Sequence, residues 1–412
     1  MSSLSSDLHM DYVSLHECVA CGSNKLKLVL DLNMQPLANS YKLRKEDAQS
    51  EYPLAINHCE ECYHVQLTHA VNPKLMFEDY LYVSGTSRTM HEHCESFADF
   101  VHGAANGKTV LDIGCNDGTQ LDYFKKLGYT TFGVDPAKNL FELSNKRHNV
   151  FCGFFNEDFA QNMTWAGAGF DVITAQNVFA HNADPLGFLR AAKLIMHDDS
   201  TLFIQTSQAN MILNNEFDTI YHEHISFFNV QSMDRLCKRA GLVLVGVEWM
   251  PIHGTSFVFI VRKKYDGRDV SLLIDEERSK GLYHHNTYVE YAKRCDEIVK
   301  QLKYECDYVR QGMIGWNVVG YGAAAKGMTL LNYAKLDLDF IVDDNPLKQG
   351  RYTPGSSIPI VSADELDKLK DTTLFVPLAW NFFDEIRAKI KSRRDNKYDR
   401  FITYFPRVEV KE

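Results

Sequence analysis

Between about residue 90 and residue 265 the chain alternates short apolar runs with longer amphipathic stretches. Four of the runs, "KTVLDIGC", "YTTFGVDP", "FDVITAQN" and "STLFIQTS", read as β-strands, and their spacing leaves room for helices between them. That alternation predicts a parallel sheet with helices on both faces. The texture differs on either side. Residues 1 to about 88 are short strands and turns studded with Cys, His and Pro. Over roughly 272–311, mixed charges and apolar residues near helical spacing predict one long helix packed on one side. A second alternating unit then begins with "WNVVGYGAAAKG", "LDFIVDDNP" and "TLFVPLAWN". The expected organisation is α/β in three parts: a small cysteine-bearing domain over 1–88, an α/β domain over 89–265, and a linker helix with a second α/β domain over 266–412.

Composition narrows the partners. A chain of 412 residues with 45% hydrophobic and 24% charged residues can bury two or three cores. A net charge of -10, without clustering of Lys and Arg on one face, argues against a nucleic-acid partner. The start, "MSSLSSDLHMDY", shows no basic region followed by an apolar core, and no apolar run reaches membrane-spanning length. Ten cysteines without a secretion signal suggest reduced thiols, so a cytoplasmic protein with no membrane partner is expected.

Four of those cysteines are spaced for a metal. "CVAC" and "CEEC" place Cys18, Cys21, Cys59 and Cys62 as paired Cys-x-x-Cys knuckles, a tetrahedral set for structural Zn²⁺ with no open position. His58 and His64 stand close enough in sequence to replace one of them.

"VLDIGCNDG" is an apolar strand ending in an acid, followed by a glycine-rich turn into a helix. Gly114 and Gly118 permit close backbone approach to a ligand, and Asp135 closes the next strand at the distance where an acid meets ribose hydroxyls. The acid Asp112 precedes the glycines, an order that resembles S-adenosylmethionine methyltransferases and not NAD enzymes. In the last third, "GYGAAAKG" lies between a strand and a helix and makes an anion site to which Lys326 adds a point charge. Read alone it is also a dinucleotide fingerprint, with Asp343 or Asp344 about twenty residues on. An NAD-dependent oxidoreductase or epimerase is therefore the rival reading, and a non-catalytic zinc-stabilised binding module a third.

"YHEH" at 221–224 sets Tyr221, His222, Glu223 and His224 in a row. Four side chains able to hold, give or accept a proton stand together, and histidine's unperturbed pKa of about 6.5 suits a base near neutrality. In an extended chain Tyr221 and Glu223 face one way and the two histidines the other; in a turn Tyr221 and His224 converge.

The Cys₄ segment, "DIGCNDG", "QNVFAHNADP", "YHEH", "GYGAAAKG" and "VDDNP" occur in one order over nearly the whole chain. Together they resemble the sugar C-methyltransferase family, which methylates ring carbons of nucleotide-linked keto-deoxysugars. The resemblance implies a zinc-binding N-terminal domain, a class I S-adenosylmethionine methyltransferase (Rossmann-like) middle domain and a second Rossmann-like C-terminal domain. The family pattern often has Glu where this chain has Asp112, a conservative change at a cofactor contact. By the resemblance Gly114, Asn116, Asp117 and Gly118 line the cofactor's amino-acid part, Asp135 holds its ribose, and Gln176 and Asn177 lie beside its methionine moiety. His224 is assigned as the base, Glu223 as orienting or assisting, Tyr221 as binding the ketone oxygen or the sugar, and His222 as supporting. His181 joins the site, as does Tyr82, with Tyr80 the alternative. Tyr321, Lys326, Asn345, Lys348 and Asn381 are the expected contacts of the C-terminal domain to the diphosphate and base. The implied substrate is a dTDP-4-keto-deoxysugar methylated at C-3, and the chain is expected as a monomer.

Overall fold

In "TVLDI", "FDVITAQ" and "TLFIQT" nearly every side chain is buried, as happens only where a strand is covered on both faces. The computed structural model describes residues 11–412 apart from 87, 166, 168, 251–255, 314 and 395. The first ten residues, read above for a leader, lie outside the described residues. Packing divides the chain into two compact units, each assembled from several stretches. The first contains Asn57–Ala209 and Glu223–Tyr283 with the N-terminal stretch to Lys27; the second contains Leu28–Ile56, Asn210–His222 and His284–Glu412.

The first unit is built on seven strands: β1 Thr109–Ile113, β2 Thr130–Asp135, β3 Asn149–Cys152, β4 Phe170–Gln176, β5 Met196–Thr206, β6 Val243–Met250 and β7 Ser256–Arg262. Their order is β3-β2-β1-β4-β5-β7-β6. The first five are parallel, and β7 lies antiparallel between β5 and β6. The four runs picked from the hydrophobic pattern are β1, β2, β4 and β5. Strand order reverses between β1 and β4, which leaves a crevice at their carboxyl ends. In the same unit Ser226–Phe227 pairs antiparallel with Val65–Leu67, the strand that follows the second cysteine knuckle.

The second unit carries β8 Asn317–Tyr321, β9 Phe340–Val342, β10 Ile360–Val361, β11 Thr373–Pro377, β12 Arg400–Thr403 and β13 Glu409–Lys411. The order β10-β9-β8-β11-β12-β13 is parallel except for its last pair, and it reverses between β8 and β11. The single long helix expected over 272–311 is two helices, Ser271–Ser279 and His285–Gly312. Gly281 adopts φ +84 and ends the first, where Gly281 N–H and Leu282 N–H cap the carbonyls of Arg278 and Glu277. The second helix does pack on one side: Tyr288, Tyr291, Cys295, Ile298, Leu302, Cys306 and Val309 form its buried stripe.

The far edge of this sheet is held by a buried ion pair. Arg394 donates to both Asp399 oxygens at 2.7 and 3.0 Å, and to the carbonyls of Leu369 and Asp371. Asp399 also accepts the Thr373 N–H that opens β11. Breaking such a pair strands the remaining charge away from water. Arg394→Met is expected to lower unfolding free energy by about 3 kcal/mol, read by chemical denaturation; a loss below about 1 kcal/mol would show that the pair does not hold this edge.

Candidate functional site

The turn after β1 is shaped by conformation before any ligand is considered. Gly114 has φ +76, and a Cβ there would meet Val178 at 3.0 Å, so only glycine fits between the two strand ends. Asn116 follows at φ 51, and Gly118 caps the helix Thr119–Lys126. Asp135, at the end of β2, accepts the backbone N–H of Asn116 through one oxygen and that of Ala137 through the other, each at 2.8 Å. Burial raises its carboxyl above the ordinary range, while those two N–H groups pull it back. Asp112 is turned into the sheet, buried, and accepts from the Thr174 hydroxyl at 2.7 Å; burial pushes it up to about 7. Asn116 and Asp117 reach outward to a strap over residues 82–85. The Asn116 amide bonds the Tyr82 carbonyl and the Ser84 N–H, and Asp117 accepts the Gly85 N–H.

The end of β4 leads directly into the second cluster. Gln176 closes the strand, Asn177 takes φ 54, and the single turn Phe179–His181 presents His181. His181 lies between two rings: Phe77 stacks on one side at 5.3 Å between centroids, and His224 on the other at 5.3 Å. Its Nε2 is buried with no hydrogen-bond partner among the described residues, and burial lowers its pKa to about 4. The backbone of Ile225 fixes His224 beside it. Ile225 N–H donates to Ala180, next to His181, and its carbonyl accepts from Leu67, in the strand after the cysteine knuckle. Glu223 is buried and accepts from the Tyr80 hydroxyl at 2.8 Å. The tyrosine that reaches this cluster is therefore Tyr80. Tyr82, the choice made from sequence, meets Tyr80 edge-on at 6.4 Å, and burial beside Cys94 and Asp117 raises its hydroxyl above the ordinary range.

"YHEH" is a turn running into a short strand, and the boundary between the two compact units falls inside it, between His222 and Glu223. His222 belongs to the second unit. It is buried against Tyr52, with Nε2 3.3 Å from the Tyr52 carbonyl, and burial lowers its pKa to about 4. Tyr221 precedes it, half-buried.

In the second unit the residues expected around "GYGAAAKG" divide. Lys326, in the first turn of the helix after β8, has its Nζ buried with no hydrogen-bond partner among the described residues, 4.8 Å from the Trp380 ring centre. Trp380 and Asn381 share the turn that follows β11. Trp380 donates its indole N–H to Asp218, fully buried, whose carboxyl is pushed up to about 7 by burial against the opposing pull of Lys326. Lys348, by contrast, donates to the Ala323 carbonyl at 2.7 Å, and Tyr41 donates to the same oxygen. Tyr321 donates to Asp344, and the Asn345 side chain caps the Leu347 N–H. Asp343, where a dinucleotide enzyme would keep an acid for ribose, spends its oxygens on the N–H groups of Ala323 and Asn345.

The cysteines converge as their spacing predicts. Sγ atoms of Cys18, Cys21, Cys59 and Cys62 all lie within 4.8 Å of one another, with three of the four residues buried. Cys21 N–H points to Cys18 Sγ at 3.5 Å and Glu61 N–H to Cys59 Sγ at 3.4 Å, the turned-in amides of a metal knuckle. Neither neighbouring histidine joins them: His64 Nε2 lies 3.2 Å from Ser226 Oγ, and His58 stacks on Tyr63.

Residues 18–77 match the family of a zinc binding domain, 87–247 that of a methyltransferase domain, and 251–406 that of the C-methyltransferase C-terminal domain. C-methyltransferase NovU of Streptomyces niveus is 31% identical over 96% of this chain and 97% of its own. The chain belongs to the C-methyltransferase family. A ubiquinone biosynthesis O-methyltransferase of Actinobacillus pleuropneumoniae serotype 5b (strain L20) is 32% identical to this C-methyltransferase, over 26% of the chain and 50% of the relative. Among solved structures, the plantazolicin methyltransferase BpumL in complex with SAH aligns at a TM-score of 0.34 and 15% identity, over 42% of this chain and 83% of that one.

The methyltransferase domain calls for S-adenosylmethionine, and the zinc binding domain for a zinc ion. The donor set fits both. Four clustered sulfurs, with no fifth group beside them among the described residues, satisfy a tetrahedral ion. At the cofactor end, each Asp135 oxygen accepts one backbone N–H and retains lone pairs for a diol, beside the glycine turn after β1. Sequence reasoning passed over Phe77, Asp218 and Trp380. Each gains meaning only from a partner far along the chain, so no local spacing marks it.

Zinc removal tests the cysteine cluster. Elemental analysis of the C-methyltransferase is expected to give about one zinc per chain, and Cys62→Ser is expected to yield aggregated or proteolysed protein because metal binding is coupled to folding. A soluble, zinc-free, active Cys62→Ser protein would sink the assignment.

Proposed function

We propose that this C-methyltransferase removes a proton from a carbon beside the ketone of a nucleotide-linked keto-deoxysugar and methylates the resulting enolate, with C-3 of a dTDP-4-keto sugar the expected position. The observation that carries the reading is the ring stack at the end of β4, in which His224 faces a histidine that burial keeps uncharged. Two imidazoles at 5.3 Å cannot both hold a proton without repulsion. With His181 neutral, its ring does not oppose a positive charge forming on His224, as a general base requires. Glu223, next to it in the chain and held by Tyr80, is assigned to orienting or assisting the base. Tyr221 is assigned to the ketone oxygen, where one donor to the developing charge contributes roughly 3 kcal/mol. His222, turned into the second unit against Tyr52, is left with a supporting role.

S-adenosylmethionine supplies the electrophilic methyl group, which the carbanion takes in one displacement without a covalent enzyme intermediate. Asp135, Gly114, Asn116, Asp117 and Gly118 are assigned to holding it, with Gln176 and Asn177 beside its methionine part and Asp112 bracing the turn from within the sheet. The diphosphate and base of the sugar nucleotide are assigned to the second unit, with Lys326 the principal contact. An ammonium buried without a hydrogen-bond partner at the reversal of a parallel sheet favours an anionic ligand. Tyr321, Asn345, Lys348 and Asn381 shape that crevice. Against the NAD reading stands the match of residues 251–406 to the C-methyltransferase C-terminal domain.

Lys326→Ala is expected to raise the KM for the sugar nucleotide by a factor corresponding to about 1.5–3 kcal/mol, with affinity for S-adenosylhomocysteine nearly unchanged by calorimetry. Loss of cofactor binding with retained sugar-nucleotide binding would reverse the division of labour. For the base, the experiment is solvent exchange in D₂O with S-adenosylhomocysteine bound, followed by NMR of the ring proton beside the ketone. His224→Ala is expected to abolish both exchange and methylation while binding both ligands, since its contribution lies in the transition state. Rapid exchange in His224→Ala together with its loss in His222→Ala would transfer the assignment to the other imidazole.

A further inference from the structure

The helix Arg88–Ala104 closes both ends of a chain of side-chain amides at the carboxyl edge of the first sheet. Cys94, in its middle, offers a backbone carbonyl that accepts from Gln120 Nε2 at 3.0 Å. Gln120 Oε1 in turn accepts from Gln176 Nε2 at 3.0 Å. Gln176 Oε1 lies 3.2 Å from His93 Nε2, and the same nitrogen lies 3.0 Å from Gln205 Oε1. Gln176 and Gln205 face each other in register across β4 and β5.

The direction of this chain is forced. A carbonyl can only accept, so Gln120 must turn its NH₂ to Cys94 and its oxygen to Gln176. Gln176 must then give its NH₂ to Gln120 and point its oxygen at His93, whose Nε2 must carry the proton. Amide oxygen and nitrogen are nearly alike in size, so packing alone does not decide which way Gln176 faces; the hydrogen-bond network does. Burial keeps His93 toward the neutral form, consistent with an imidazole that donates through one nitrogen. Gln176 retains a second N–H and a second lone pair for a ligand.

We propose that His93 is a positioning residue for the methyl donor, acting through Gln176, whose amide it holds in one orientation where β4 ends. The inference rests on the reading above that Gln176 lies beside the methionine part of the cofactor. A mere staple between helix and sheet would need only some contact at position 93; positioning needs an N–H at the Nε2 position.

Calorimetry of S-adenosylhomocysteine binding to the zinc-loaded full chain separates the two. His93→Leu is expected to raise Kd roughly tenfold, within the range for leaving buried acceptors unmatched. His93→Asn stays polar but places its N–H near the Nδ1 position, and it is expected to be as weak. His93→Gln restores an N–H at the Nε2 position and is expected to recover affinity to within about threefold. On a Gln176→Leu background, His93→Leu should cost nothing further, because its effect runs through that amide. Wild-type affinity in His93→Leu or His93→Asn while Gln176→Leu is weakened overturns the inference and leaves the cofactor reading standing. So do equal losses in all three His93 variants, or additive losses in the double variant. If Gln176→Leu itself binds normally, the placement of Gln176 beside the cofactor fails, and the inference falls with it.

Discussion

In a parallel sheet wound outward from its centre, the loops leaving the two central strands depart to opposite faces and cannot cover the gap between them. Each of the two sheets here contains one such reversal, between β1 and β4 and between β8 and β11. The glycine turn of Gly114 leaves β1, and Gln176 and the His181 turn leave β4. In the second unit Lys326 lies on the loop and helix after β8, and Trp380 and Asn381 on the turn after β11. Chemistry gathers at these edges because strand termini there have backbone groups without partners. Asp135 meets two of them with a carboxylate, and the strap at 82–85 is held by two more side chains from the same turn.

The zinc segment contributes to the reacting end by way of backbone. The second knuckle leads straight into Val65–Leu67, which pairs with Ser226–Phe227, and Leu67 N–H grips the carbonyl of Ile225. The Ile225 N–H donates to the carbonyl of Ala180. His224 is thus located by hydrogen bonds of its neighbour on both sides.

What could be read from sequence were features encoded over a few residues. Continuous apolar runs marked β1, β2, β4 and β5, and Cys-x-x-Cys spacing marked all four sulfurs. Features set by distant partners were not legible. Tyr80 and Tyr82 lie two apart and look equivalent until Glu223, more than a hundred residues on, accepts from one of them. Asp218 acquires its role from Trp380, and the amide chain from Gln205 through His93 and Gln176 to Gln120 joins four separate elements. The helix expected as one piece showed the reverse fault: amphipathic periodicity ran on through Gly281, and only the left-handed backbone there reveals the stop.

The sulfur cluster has a chemical consequence beyond folding. Cys18 and Cys62 approach to 3.5 Å between sulfurs, as do Cys21 and Cys59. While the thiolates coordinate an ion they are occupied. Once it is lost, two pairs of thiols lie in non-bonded contact, and oxidation by dioxygen would convert each pair into a disulfide that zinc cannot enter. Demetallation under air is then a ratchet: the apo chain does not wait to be refilled but is withdrawn until a reductant returns the sulfurs.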